Sequence, residues 1–237
     1  MSLPKLNTPT YELNIPSTGK TVSYRPYLVK EEKILLLALE SQDERQMIRS
    51  IKEVIEACTN GEVDTNRMTM FDLEYIFTQL RSKSVGESVQ LMMKCASCDN
   101  EKNQVTLNLE NVKISNSDKI NQTIALTDTI GVTMRYPSVD TILNTKIDDE
   151  SPVVERIFSV LLECIDSIYS GDEVFDAASQ SKQELTEFVE SLNAEQFTKI
   201  REFVENIPTA EIDVDYKCTQ CGHHNETTLR GLANFFG

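Results

Sequence analysis

The chain has 237 residues, of which 38 are acidic and 23 basic, for a formal net charge of -15. That balance disfavours nucleic-acid binding, which rests on Lys and Arg neutralising phosphates. Tryptophan is absent and the only two histidines are adjacent, His223 and His224, so triads and histidine proton shuttles have almost no raw material.

The first elements read clearly. Residues 11–26 form two strands around Ser17-Thr18-Gly19-Lys20, a β-hairpin. Its Gly-Lys-Thr lacks the rest of a phosphate loop and sits in the wrong setting for one. Residues 29–40 read as a helix. The S-x-x-E pattern of Ser41 and Glu44 predicts a capping box opening a second helix to about Cys58, stopped by Gly61. Residues 70–83 read as a third, with Phe71, Tyr75, Leu80 and either Leu73 or Ile76 and Phe77 on its buried side. Arg81 and Lys83 suit its C-terminal end, and Arg81 is expected to pair with Glu87 across the turn at Gly86. "SVQLMMK" is then strand-like.

Beyond residue 100, "QVTLNLENVKI" is strand-like, and "TIALTDTIGVTMRYP" reads as a hairpin turning near residues 128–131. "SVDTILNTK" suggests a short helix. Ser151 as N-cap and Pro152 as first helical residue predict a helix over "VVERIFSVLLECIDSIY", the most apolar of the chain and expected to be the most buried. "SGDEVFDAAS" reads as a loop or short extended piece. The carboxylates of "DEVFD" and "KIDDES" have no calcium-loop spacing and read as solvated surface. Two more helices fit "SKQELTEFVESL" and "NAEQFTKIREFVEN", the second opened by a box of Asn193 and Gln196. "TAEIDVDYK" is strand-like. The tail "LRGLANFFG" carries Phe235 and Phe236, which either fold back or meet a partner.

The six cysteines divide in two. Cys58 and Cys164 lie in helical stretches and read as buried apolar residues. Cys95 and Cys98 form one C-x-x-C pair, and Cys218 and Cys221 form another about 120 residues later. Each pair lies between strand-like runs, so each is expected at the tip of a short hairpin. A structural Zn²⁺ takes four thiolates in a tetrahedron, and these two knuckles supply Cys95, Cys98, Cys218 and Cys221. The separation exceeds the about 15–20 residues of an ordinary ribbon, so the site is split by an insertion. Separate disulfides, a thioredoxin-like redox pair and bare surface turns are the competing readings. The first conflicts with a reducing compartment, which the absence of a signal-peptide pattern in "MSLPKLNTPTYEL" leads us to expect. The second needs a helix where the sequence shows turn residues. His223 or His224 could replace one thiolate, although adjacent histidines after a knuckle read more readily as solvent-facing turn residues.

The expected fold is α+β: a helical body with short antiparallel β-hairpins and a split zinc-ribbon-like four-cysteine site. It is drawn as a single compact unit over 1–237, with the hairpin at 1–27, a first helical batch at 28–84, ribbon halves at 85–110 and 209–232, and an inserted hairpin and second helical batch at 111–208. No membrane span and no small-molecule substrate are expected, nor an enzyme, since no catalytic motif is present. A closed thiolate site has no open position for chemistry. A zinc-ribbon regulator touching nucleic acid or a polymerase is the alternative, resting on the cysteine pattern alone.

Three segments, "YRPYLVKEEKILLLALES", "FDLEYIFTQLRSKSVGES" and "MKCASCDNEKNQVTLNLENV", resemble the T4-type bacteriophage baseplate protein family, which includes hub subunits and hub-assembly proteins. The corner formed by Leu80, Arg81, Lys83, Ser84, Gly86 and Glu87, with the Cys95/Cys98 pair after it, is the most specific part. The resemblance covers roughly residues 20–115. Beyond that it rests on length, the acidic helical second half and the second knuckle. It implies a non-enzymatic role in building a tail baseplate, with other phage tail and baseplate proteins as partners, in the host cytoplasm during assembly or in the virion. It supplies no catalytic residues; the zinc reading stands on spacing.

Overall fold

The computed structural model describes residues 7–116, 121–144 and 152–231. It is α+β, with helices beside short antiparallel sheets. Where the sequence reading drew one compact unit with an insertion at 111–208, the chain divides into two units, Met1–Ser115 with Thr209–Gly237, and Asn116–Pro208.

The first unit opens on the expected hairpin, β1 (Tyr11–Asn14) with β2 (Thr21–Tyr24). Gly19 turns it at φ +67, a backbone that other residues adopt only under strain. In α1 (Val29–Ser41), Glu31 is buried and accepts the Leu28 N–H and Arg25 Nη2, each at 2.8 Å. α2 (Glu44–Cys58) is capped by Asp43, whose Oδ1 accepts the N–H groups of Arg45 and Gln46. The Ser41–Glu44 box does not form. α1 runs through Ser41, whose hydroxyl donates back to the Ala38 carbonyl at 2.7 Å. Gln42 then breaks the helix in a left-handed conformation, which leaves Asp43 at the next start. Past α2, Gly61 sits at φ +75 and closes an N–H bond to the Glu56 carbonyl.

The central helix of this unit is α3 (Met70–Ser84). Leu73, Ile76 and Phe77 are all buried, alongside Phe71 and Leu80, so no choice between the first and the other two arises; Tyr75 is half-buried. Burial on so many sides brings polar groups in, and the two carboxylates are met: Asp72 accepts the Ser17 N–H and the Thr69 hydroxyl, and Glu74 accepts the Ala210 N–H at 3.0 Å. At the C-terminal corner Glu87 pairs with Lys83, not Arg81. Lys83 Nζ lies 2.9 Å from Glu87 and 3.0 Å from Glu110. Lys83 is four residues from Glu87 and faces it; Arg81 is six away. The chain continues through β3 (Ser88–Met93), β4 (Asn103–Asn108), a 3₁₀ turn (Leu109–Asn111) and β5 (Lys113–Ile114).

The second unit carries a four-stranded antiparallel sheet in the order β6 (Thr123–Ala125), β7 (Ile130–Met134), β8 (Ile165–Ser170), β9 (Glu173–Asp176). Between β7 and β8 lie α4 (Val139–Asn144) and α5 (Val153–Cys164). The long helix expected over 153–169 therefore ends at Cys164. Ile165 to Ser170 lacks a strand's alternation, and pairing with β7 decides in favour of strand: Val132 faces Ile168 and Gly131 faces Tyr169. Nor is α5 the most buried helix. Leu161, Leu162 and Cys164 are buried, while Val154 is 73% exposed. Pro152 takes the N-cap position, not the first helical one, and Ser151 lies outside the described residues. After β9 come α6 (Lys182–Glu190) and α7 (Ala194–Glu205); the expected Asn193–Gln196 box closes with bonds of 3.0 and 2.9 Å. These helices and the sheet share one core, with Val132, Leu161, Ile165 and Ile200 fully enclosed.

The chain then returns to the first unit as β10 (Ala210–Lys217) and β11 (His224–Arg230), with β5 on the other edge of β10. Val89, Leu107, Ile212 and Val214 join in one core, so the β3–β4 and β10–β11 hairpins pack together. The tail residues Phe235 and Phe236, and all of "KIDDES", lie outside the described residues.

Candidate metal centre

Each C-x-x-C pair sits at the tip of one of these hairpins, between β3 and β4 and between β10 and β11. The two tips are built alike. In the first, the Cys95 N–H donates to the Asn100 carbonyl and the Asp99 N–H to the Cys95 carbonyl. In the second, the Cys218 N–H donates to the His223 carbonyl and the Gly222 N–H to the Cys218 carbonyl. The residue after the second cysteine is left-handed in both, Asp99 at φ 55 and Gly222 at φ 72. Asp and Gly both tolerate that conformation.

The four sulfurs lie within 4.8 Å of one another. Cys95 Sγ is 3.7 Å from Cys221 Sγ, and Cys98 Sγ is 3.6 Å from Cys218 Sγ. These are not disulfide lengths. Four thiolates each about 2.3 Å from a central ion form a tetrahedron with edges of about 3.8 Å. The donor set and its spacing therefore fit one ion held by all four sulfurs.

Around the sulfurs stands a ring of N–H donors. Ser97 N–H points at Cys95 Sγ and Gln220 N–H at Cys218 Sγ, each at 3.4 Å, and Asn100 Nδ2 lies 3.7 Å from Cys218 Sγ. The hairpins also hold each other directly. Asn103 Oδ1 accepts the Thr219 N–H at 2.9 Å, and Asn225 Oδ1 accepts the Ala96 N–H at 3.0 Å. Tyr216 donates its hydroxyl to the Lys94 carbonyl at 2.6 Å.

The electrostatics point the same way. The Cys221 backbone amide, then Gln220 N–H and Asn100, hold the Cys218 thiol down to about 6 despite its burial. For Cys95, burial opposes ionisation, but the Ser97 and Cys98 amides bring the thiol below its ordinary value. Cys98 is lowered by the Asn100 amide, yet the neighbouring sulfurs win and push it up to about 12. Thiolates this close repel one another, so the last protons leave only when a positive charge sits among them.

The other cysteines are placed as the sequence implied. Cys58 and Cys164 are fully buried, and burial pushes their thiols up to about 11 and about 12. His223 and His224 are not within the sulfur cluster. His223 serves through its carbonyl, while His224 sits between carboxylates, Nδ1 3.3 Å from Asp215 and Nε2 3.1 Å from Glu226. Sequence reading missed Asn100, Asn103, Asn225 and Tyr216. All four look like ordinary turn and strand residues, and Asn103 and Asn225 do not stand at equal distances after Cys98 and Cys221, so no sequence signal marks them.

Among the described residues no helix is long and apolar enough to cross a membrane. No solved structure matches the chain. The baseplate hub assembly protein gp26 of Enterobacteria phage T4 is 25% identical over 227 residues, covering 95% of this chain and 97% of that protein. The family described as T4 bacteriophage base plate protein matches residues 8–237, and thus takes in both knuckles and the segment between them. The chain belongs to that family.

Proposed function

We propose that this protein is a structural or assembly component of the tail baseplate hub of a contractile-tailed phage, acting through protein–protein contacts. The observation that carries the reading is the end-to-end match to a baseplate hub assembly protein. Its partners would be other tail and baseplate proteins, met in the host cytoplasm during assembly. It would be no enzyme. Within this role Cys95, Cys98, Cys218 and Cys221 would hold one Zn²⁺, and the two hairpins around it form a split zinc ribbon. Zinc suits four thiolates with no open position, and such an ion contributes folding free energy, not chemistry. It would tie residues 95–98 to 218–221 within the first unit. An ion here leaves nucleic-acid readout without support, given the charge of -15.

Infection with phage lacking the gene tests the role. Baseplates should be missing or incomplete by electron microscopy, and restored when the gene is supplied in trans. Normal baseplates in its absence would defeat the reading.

A further inference from the structure

A surface helix normally turns a polar face to water. α1 does not. It buries Glu31, Leu35 and Ala38, yet Leu36 is 55% exposed and Leu37 54%, with Val29 and Leu39 exposed beside them. Scattered exposed leucines are ordinary; a contiguous set marks an interaction surface. Between α1 and α2 lies a groove of about 540 Å³ floored by Leu39, Met47, Ile48 and Met70, and of the exposed apolar residues of α1 it is Leu39 that lines it. Its rim is mainly acidic: it carries Asp43 and Glu44, Glu40 is exposed at the adjoining end of α1, and its one cation, Arg230, is paired with Glu211 at 3.0 Å.

The charge around this face selects the occupant. An apolar floor with an acidic rim complements an apolar ridge flanked by cations. A second copy is disfavoured, because two chains of net charge -15 would meet acidic rim to acidic rim. We infer that this face docks an amphipathic helix of another tail protein, its apolar ridge along Leu36, Leu37 and the groove, and its Lys or Arg flank toward Glu40, Asp43 and Glu44. Helix-in-groove recognition needs an apolar strip of this kind. The inference rests on the assembly role proposed above and names the surface that performs it.

Two synthetic amphipathic peptides with the same leucine spacing, one lysine-flanked and one glutamate-flanked, serve as probes of the full chain. The lysine peptide should bind, more weakly as salt rises, and the glutamate peptide should not. The double variant Leu36→Ser/Leu37→Ser should melt like the parent, since both side chains are over half exposed, and lose about tenfold in affinity. Glu40→Lys/Glu44→Lys should invert the preference. Equal binding of both peptides, binding of neither, or indifference to the double variant overturns the proposal. So does a dimer of the chain that the double variant abolishes, which assigns the face to a second copy. In infected cells, rescue by the parent but not by the double variant supports the proposal. Equal rescue by both defeats the docking face and leaves the assembly role standing; normal baseplates without the gene defeat that role itself.

Discussion

Asn103 and Asn225 hold each other's hairpins: Asn103 accepts the N–H of Thr219, the residue after Cys218, and Asn225 accepts the N–H of Ala96, the residue after Cys95. Each also donates to a carbonyl of its own tip, Asn103 to Asn100 and Asn225 to His223. The exchange is nearly two-fold symmetric, so the repeated phrase in the sequence becomes a repeated structure whose halves complete one another.

Both asparagines are buried, and an unmet buried N–H costs about 1–3 kcal/mol. Asn103→Ala strands the Thr219 N–H and removes one donor each from the Met93 and Asn100 carbonyls. It should weaken metal affinity about 10–100-fold, as removal of outer-layer partners does. Asn225→Ala, with fewer bonds, should cost less. Competition titrations with a chromogenic chelator measure both.

Cys218→Ser removes the proposed ligand whose thiol is held down to about 6. The variant should lose its metal and about 4 kcal/mol or more of stability, the range expected when a structural ion goes. Metal content beside a urea melt checks this; full zinc occupancy with an unchanged midpoint would refute it.

Alkylation should sort the six cysteines. If the proposed ion is held, none should react quickly in the native chain at pH 8: four would be engaged by metal and two are enclosed. A strong chelator should open Cys95, Cys98, Cys218 and Cys221 to iodoacetamide. Cys58 and Cys164 should stay unmodified, because burial keeps them as thiols at that pH. Peptide mass spectrometry reads the outcome, and early labelling of Cys58 or Cys164 would show that their helices open first.

Gly131 tests the second unit by itself. A Cβ there would meet the Tyr169 ring and come within 2.5 Å of the Ile124 carbonyl oxygen. Gly131→Ala should destabilise this sheet by about 3 kcal/mol. Adding Tyr169→Ala should recover only part of that, because the carbonyl clash is with backbone. Hydrogen exchange at β7 and β8 follows the effect.

Glu31 sets part of the acid limit of the first unit. Burial raises its pKa, but Arg25, the Leu28 N–H and Lys30 together bring it below the ordinary 4.5. A lowered folded value means the contribution is whole above pH 4.5 and is lost as pH falls through the folded pKa. Glu31→Gln should therefore cost about 3 kcal/mol at neutral pH and progressively less in acid. Urea midpoints across the pH range should converge; parallel curves would count against the pair.

What the sequence made legible were features with local causes. The Gly19 turn, the Asn193–Gln196 box and the hairpin-tip placement of all four clustered cysteines each follow from a few neighbouring residues, and each is found. The misses have remote causes. Ile165 to Ser170 continues a helical pattern and becomes strand only because β7 lies beside it. Ser41 has the right spacing for a cap, but Gln42 breaks the helix one residue later and hands the role to Asp43. Asn103 resembles any strand residue until Thr219, 116 positions away, is brought against it.

In the reading proposed above, one ion joins the two knuckles. X-ray absorption at the zinc edge, on chain purified without chelator, tests it most directly. The prediction is one zinc per chain surrounded by four sulfurs at about 2.3 Å. A chain free of zinc, or a zinc with nitrogen or oxygen among its ligands, would contradict it.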